Sequence, residues 1–451
     1  MKKISSLLWA VFAILCLQGA QAQEAPKSFS LSQSIEFAIA NRPNLKAARN
    51  EQLSAKAKVG EIRAMGLPQI NASADVGGFF VQQKTFVPAQ FTNPDAEPGT
   101  YVALPFTPIY SGNAVLTGSQ LLFDGSYLIG LKAAKTYTEL SRKSLTQTEI
   151  EVAEQVSKAY YSVLVSRERM ELLNQNLARL DTLLHQTQVM FENGVAEKLD
   201  VDRLRVTRNN LNVEKQKTER LLQLSEDLLK FQMGMDQEEQ LVLTDKLSEV
   251  EVDMSKANTG SFNYSNRIEY SLLETQRDLA QLDLKNLRSG YLPKLYLNSR
   301  FGYSTASNEF SFITKRTNWL DFGFLGVQLQ VPIFDGLRKH YQIQQSKLTL
   351  ENTKLGFETL KQSIDLQLAQ SSTELTNSLE VLASQRENLE LAEEIARVAK
   401  IKFQEGVGTN LEVVTAETDL RQAQTNYYAA MYDALIAKVN LDKATGTLTT
   451  K

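Results

Sequence analysis

Phe191-Glu192-Asn193-Gly194-Val195, followed by Leu199-Asp200-Val201, returns as Phe403-Gln404-Glu405-Gly406-Val407, followed by Leu411-Glu412-Val413, every element 212 positions on (194 to 406). Leu122-Phe123-Asp124-Gly125 returns as Ile333-Phe334-Asp335-Gly336 at a spacing of 211 (125 to 336), and Leu67-Pro68 as Leu292-Pro293 at 225 (68 to 293). Two copies of so long a unit are a duplicated architecture, not a solenoid of short repeats. The search for function therefore moves from catalytic side chains to shape.

Around these landmarks the pattern is mainly helical. From about Ser126 to Phe191 there is no proline and one glycine, Gly130; from about Leu337 to Phe403 there is again no proline and one glycine, Gly356. Each stretch predicts a single helix of about 65 residues, roughly 100 Å at 1.5 Å per residue. Leu375, Leu379, Leu382, Leu389, Ala396 and Phe403 fall on one heptad-spaced line, and Leu391, Ile395 and Val398 on another. Two seams on one helix call for two neighbours. After Gly194 and Gly406 the chain re-enters helices expected to run to about Met233 and Ala444. Leu31 to Gly66 is also helical, interrupted at Asn41-Arg42-Pro43.

Each half also carries an extended pair. Ile70, Ala72, Ala74, Val76 and Phe80 alternate with Asn71, Ser73 and Asp75 and predict a half-buried strand. A loop holding Pro88, Pro94, Pro98, Pro105 and Pro108 follows, and a second strand from about Asn113 closes a hairpin at Phe123. In the second half Leu295, Leu297, Phe301 and Tyr303 share a face opposite Asn298 and Arg300. The returning strand sets Leu325, Val327, Leu329, Val331 and Ile333 against Gln328 and Gln330. These strands have the length to cross a bilayer at a tilt, and Tyr291, Tyr296, Tyr303, Phe310, Phe312, Trp319, Phe322 and Phe324 crowd them as interfacial girdles do; the alternative on these residues alone is an ordinary soluble β-hairpin with an aromatic core.

The expected layout is an export leader at 1–22, a first repeat at 23–235 with its hairpin at about 69–123, an equatorial linker at 236–261, a second repeat at 262–446 with its hairpin at about 294–334, and a tail at 447–451. Lys2 and Lys3, an apolar run from Ile4 to Leu17 and Ala20-Gln21-Ala22 make the leader. Its removal takes away the single cysteine, Cys16, and with it disulfides, thiolate metal sites and cysteine nucleophiles. It also takes the formal charge from −3 to −5, with no basic block to bind nucleic acid. No uninterrupted apolar run reaches about 18 residues, so entry into a membrane would be by strands. Four strands cannot close a membrane barrel, so the barrel must be shared: two chains give eight strands, three give twelve.

The paired turns, the Leu-Pro entries and the Phe-Asp-Gly exits resemble those of the TolC-like outer-membrane efflux protein family, over essentially the whole mature chain; Gly406-Val407-Gly408-Thr409-Asn410-Leu411-Glu412-Val413-Val414 is the most specific stretch. The resemblance implies a mixed, mainly α fold: a homotrimer whose long α-helical, coiled-coil-like barrel is continued by a twelve-stranded transmembrane β-barrel. It implies the exit duct of a tripartite efflux pump or type I secretion system in a Gram-negative outer membrane. The implied partners are a periplasmic adaptor, an inner-membrane transporter of RND, ABC or MFS type, and outer-membrane lipid.

Function would then concentrate at the periplasmic turns. Glu412 and Asp200, matching positions of the two repeats, would form acidic rings at the pore constriction and favour cations. Against this, Thr409-Asn410-Leu411-Glu412 is also a capping box, and Asp200 near a helix start gains from the helix dipole. The resemblance makes Asp200 part of an ionic lock, but Gly408 stands where the basic partner belongs and Thr415 where a second acidic ring belongs. Gly194, Val195, Gly406, Val407 and Gly408 would be the turns offered to the adaptor, unless the glycines merely end helices. Neither His185 nor His340 belongs to a ligand cluster, and no nucleophile elbow or P-loop is present, so no enzyme, metal or cofactor is expected. A periplasmic coiled-coil adaptor or cell-envelope spacer is the alternative; it would need no matched strand pairs with aromatic flanks.

Overall fold

The computed structural model describes residues 27–247, 262–310 and 319–448. The expected leader, much of the linker, Phe312 and the last three residues lie outside them. The chain divides into two compact units: 1–50 with 143–271 and 358–451, and 51–142 with 272–357.

The first unit holds a short parallel pair, β1 (Lys27–Phe29) with β6 (Leu241–Leu243). Helix α1 (Leu31–Asn41) opens on a reciprocal cap: Ser30 Oγ accepts from the Gln33 amide at 3.3 Å, and Gln33 Oε1 accepts from the Ser30 amide at 2.9 Å. Pro43 then starts α2 (Pro43–Ala64), where its missing N–H costs nothing. The long helices are α3 (Gly125–Glu192) and α6 (Arg338–Gln404), of 68 and 67 residues; their returns are α4 (Lys198–Met233) and α7 (Asn410–Thr445), each of 36. The first expected seam is closed within the chain: Leu375 and Leu379 pack with Ala434, Ala437 and Leu441, and Ala396 with Ala416 and Leu420. The second is open, with Leu391, Ile395 and Val398 exposed. At the other end of the returns, Tyr160 donates its hydroxyl to Asp245 Oδ2 at 2.9 Å, and burial drives its pKa up.

Both returns end alike. Gly234 and Gly446 take left-handed φ of 70° and 73°, and Met235 and Thr447 donate back to the carbonyls of Lys230 and Asp442 at 2.9 and 2.8 Å. Each glycine lies against an Asn-Arg turn: a Cβ on Gly234 would fall 2.9 Å from Arg42 Cα, and one on Gly446 2.5 Å from the Asn266 carbonyl oxygen. Asn41-Arg42 and Asn266-Arg267 thereby join the repeat. Arg267 is buried and donates to the Ala444 carbonyl at 2.8 Å.

The second unit is built on a four-stranded antiparallel sheet in the order β2 (Gln69–Gly78), β5 (Tyr110–Phe123), β7 (Lys294–Ser307), β8 (Trp319–Gln330). The two repeats meet at the β5–β7 pairing, which local patterning does not specify. One face carries Ile70, Ala72, Ala74, Leu116, Phe301, Leu325, Val327 and Leu329; the other Asn71, Ser73, Asp75, Thr117, Ser119, Asn298, Arg300 and Gln328, as the registers require. Helix α5 (Ile268–Ser289) precedes β7. Asp124 and Asp335 start the long helices, accepting from the amides of Ser126 at 2.7 Å and Lys339 at 3.2 Å.

Four expectations are corrected. Strand β2 is exposed on both faces, not half-buried, because it is an edge strand of an open sheet. The proline-rich loop contains a second hairpin, β3 (Lys84–Pro88) with β4 (Tyr101–Pro105); Pro88 and Pro105 sit at strand ends, where proline is tolerated. Strand β5 starts at Tyr110, three residues earlier than Asn113. Strand β8 stops at Gln330, leaving Val331 and Ile333 outside it, because Pro332 has no N–H for the ladder.

Candidate functional site

The two turns that link α3 to α4 and α6 to α7 share one backbone design. Gly194 and Gly406 have φ of 75° and 76°. Val195 donates to the Met190 carbonyl at 2.8 Å and Gly194 to Phe191 at 2.9 Å; Val407 donates to Lys402 at 3.0 Å and Gly406 to Phe403 at 3.2 Å. This double closure of the last carbonyls is the Schellman motif, which needs a residue at ease with positive φ. Nothing lies within 4 Å of a Cβ placed on either glycine, so backbone conformation alone selects them. Gly408 is selected differently: its Cβ would lie 2.9 Å from Lys402 Cβ and 3.1 Å from the Phe403 nitrogen.

The turns thrust apolar side chains outward. Val195 is 71% exposed and Val407 79%, with Leu199 and Leu411 behind them also exposed. The five turn residues expected to meet a partner thus lie at two turns of matching geometry, and the two valines are their apolar points.

The acidic pair is divided by its caps. Asp200 is half-buried; its Oδ2 accepts from the Glu197 amide at 3.4 Å, and Arg203 lies 3.8 Å from Oδ1. Glu412 is exposed, and the expected box around it is only half formed: Thr409 Oγ1 accepts from the Glu412 amide at 3.2 Å, while the Glu412 carboxylate has no hydrogen bond or ion pair among the described residues. The cap uses the backbone of Glu412 and leaves its charge free. Farther along the same helices the polar links include Arg208 to Asp181 at 2.6 Å, Arg179 to Glu417 at 3.8 Å and a buried amide pair, Asn176 to Gln424, at 2.9 Å.

Glu412 also lines a groove of about 580 Å³ along α6 and α7, with Ile395, Val398, Lys402, Leu411 and Asp419. Patterning missed this groove as a site, although its apolar floor is the second heptad line. Glu394 stands at its edge, its carboxyl held below the usual carboxylate range by the Arg397 guanidinium at 2.6 Å. No helix of the described residues is long and apolar enough to cross a membrane.

The outer membrane efflux protein family model matches residues 35–231 and 266–447. The outer membrane protein TolC of Vibrio cholerae is 22% identical over 93% of this chain and 91% of its own length. The toluene efflux pump outer membrane protein TtgC of Pseudomonas putida is 22% identical over 92% of this chain and 83% of its own length. Among solved structures, the outer membrane protein VceC from Vibrio cholerae superposes with a TM-score of 0.68 at 16% identity, covering 92% of this chain and 96% of that one.

Proposed function

We propose, from the premise that this chain belongs to the outer membrane efflux protein family and is an outer-membrane exit duct for efflux, that three copies share one twelve-stranded barrel continued by a ring of helices. The observation that carries this reading is the pair of open sheet edges, β2 and β8, in one chain. In hydrocarbon an unpaired edge leaves a row of backbone N–H and C=O groups unsatisfied, at several kcal/mol each. A β2 edge joined to the β8 edge of the next copy closes the sheet. Twelve strands leave an interior wide enough for a channel, whereas eight are filled by their own side chains. The exposed seam of Leu391, Ile395 and Val398 supports the same assembly, since it offers an apolar side of α6 for a neighbouring copy to cover.

In this assembly the apolar sheet face meets lipid and the polar face lines the lumen. Glu412, with Asp200, rings the periplasmic entrance. The turns at Gly194, Val195, Gly406, Val407 and Gly408 meet a periplasmic adaptor, which couples the duct to an inner-membrane transporter. The duct is passive and needs no cofactor. Neither the adaptor nor the spacer alternative accounts for an open, two-faced sheet.

The single native cysteine, Cys16, lies in the expected leader, so introduced cysteines stand on a cysteine-free background once that leader is removed. Cysteines introduced in pairs, one scanned along 70–76 and one along 321–327, lie on edges separated by two strands within a chain. Oxidation should give a ladder on denaturing gels that stops at three chains. A ladder stopping at two, or no cross-link at any pairing, would defeat the shared barrel.

A further inference from the structure

The polar face of the sheet is interrupted on β8 by Leu320, Phe322 and Phe324, which alternate with the apolar-face residues Asp321, Gly323 and Leu325. Phe322 stands directly across from Gly302 on β7, and a Cβ at that glycine would come within 3.1 Å of the Phe322 ring. Phe324 covers Gly326, where a Cβ would come within 2.6 Å of its ring. Aromatic rings laid over glycines are a recognised way to seat a ring on a sheet. Phe324 nonetheless stays 62% exposed.

Arg300 is registered opposite Phe324, with its guanidinium carbon 5.6 Å from the Phe322 ring centre. Among the described residues it makes no ion pair and no hydrogen bond, and it is exposed. Asp75 on β2 shares its face, but it aligns with Ser304, four residues along and two strands over. Strand geometry puts that separation at roughly 16 Å, beyond the screening length of about 8 Å in physiological salt. A guanidinium stacked on one ring still presents its N–H fork, the geometry that takes a carboxylate or sulfonate through two parallel bonds. Beside it lies an open aromatic face.

We propose that Arg300, Phe322 and Phe324 form a lumen contact for organic anions that carry an aromatic ring. The acid group takes the Arg300 fork while the ring rests on Phe324, and Phe322 holds the guanidinium in place from beneath. This rests on the shared-barrel reading, which makes the polar face the lumen. Such a contact would retain aromatic anions briefly on their way out and would discriminate them from small aliphatic anions.

The experiment titrates naphthalene-2-sulfonate and methanesulfonate by calorimetry into the purified full-length protein in lipid nanodiscs, with copy number per disc read by light scattering. The expected result is three copies, binding of the naphthalene anion at least about fivefold tighter than the aliphatic one, and a loss of about tenfold in Arg300→Gln, with Arg300→Lys retaining part of it. Phe324→Ala should remove most of the difference between the two anions. Equal affinity for both anions, or unchanged binding in Arg300→Gln on three-copy discs, would overturn the contact alone. A single copy per disc would instead overturn the shared barrel, and the lumen contact with it.

Discussion

Lys443 places its ammonium 2.7 Å from Glu154 Oε2 across 289 positions of chain, and Lys158 holds Oε1 at 2.7 Å. This pairing ties α7, the last helix of the second repeat, to α3 of the first.

Burial acts first on Glu154 and would raise its pKa, but the two lysines outweigh it and hold the carboxyl below its ordinary value of 4.5. A group lowered on folding stabilises above the unfolded value, and the contribution is lost as pH falls through the folded value. Glu154→Gln should therefore lower the unfolding midpoint at pH 7, and the gap to the parent should shrink as pH falls below the ordinary glutamate range. Midpoints measured across that range test it; a gap of constant size would rule out the linkage.

The turn glycines and the return-end glycines differ in what surrounds them. Gly194 and Gly446 share φ near 75°, and an alanine in that region costs roughly 1–2 kcal/mol wherever it occurs. Gly194 has open space around it, whereas a methyl at Gly446 falls 2.5 Å from the Asn266 carbonyl oxygen. Gly446→Ala should thus destabilise the protein clearly more than Gly194→Ala in denaturant titration. Equal losses would mean that the Asn266 turn yields without resistance.

The two heptad lines of α6 should separate folding from assembly. Leu375 is 1% exposed, and Leu375→Ala should cost about 2–5 kcal/mol of stability. Ile395 is 57% exposed in the single chain, so Ile395→Glu should spare the protomer fold and, on the proposed three-copy assembly, lower the trimer fraction in light scattering. Intact trimers in this variant would exclude the second line from the interface.

Helix ends were legible where they rest on residues with one physical use: Gly194 and Gly406 for positive φ, Pro43 for a first turn. The strand faces were legible from period-two alternation, but the β5–β7 pairing joins residues such as Tyr110 and Ser307 that only topology brings together. The β3–β4 hairpin was hidden by prolines that normally mark loops. Strand β2 carries the alternation of a half-buried strand although its own chain buries neither face, which fits burial supplied by other copies and lipid. At the turns, Thr409 was legible as a cap, but no pattern says whether Glu412 joins it by its amide or its carboxylate.

That last distinction separates the two acidic positions. Asp200 spends one oxygen on the Glu197 amide and keeps Arg203 near the other, whereas the Glu412 carboxylate is exposed and unpaired among the described residues. In the proposed three-copy duct, three unpaired carboxylates around a narrow entrance would attract cations and repel anions far more than three that are already partly neutralised. Glu412→Gln should therefore move the cation-to-anion permeability ratio in planar bilayers toward unity, with Asp200→Asn moving it less. Since glutamine leaves the amide that Thr409 caps untouched, the helix start survives and the change reads charge alone. If both substitutions shift the ratio equally, the cap does not decide which carboxylate the passing ion meets; if neither does, the entrance is not where selectivity is set.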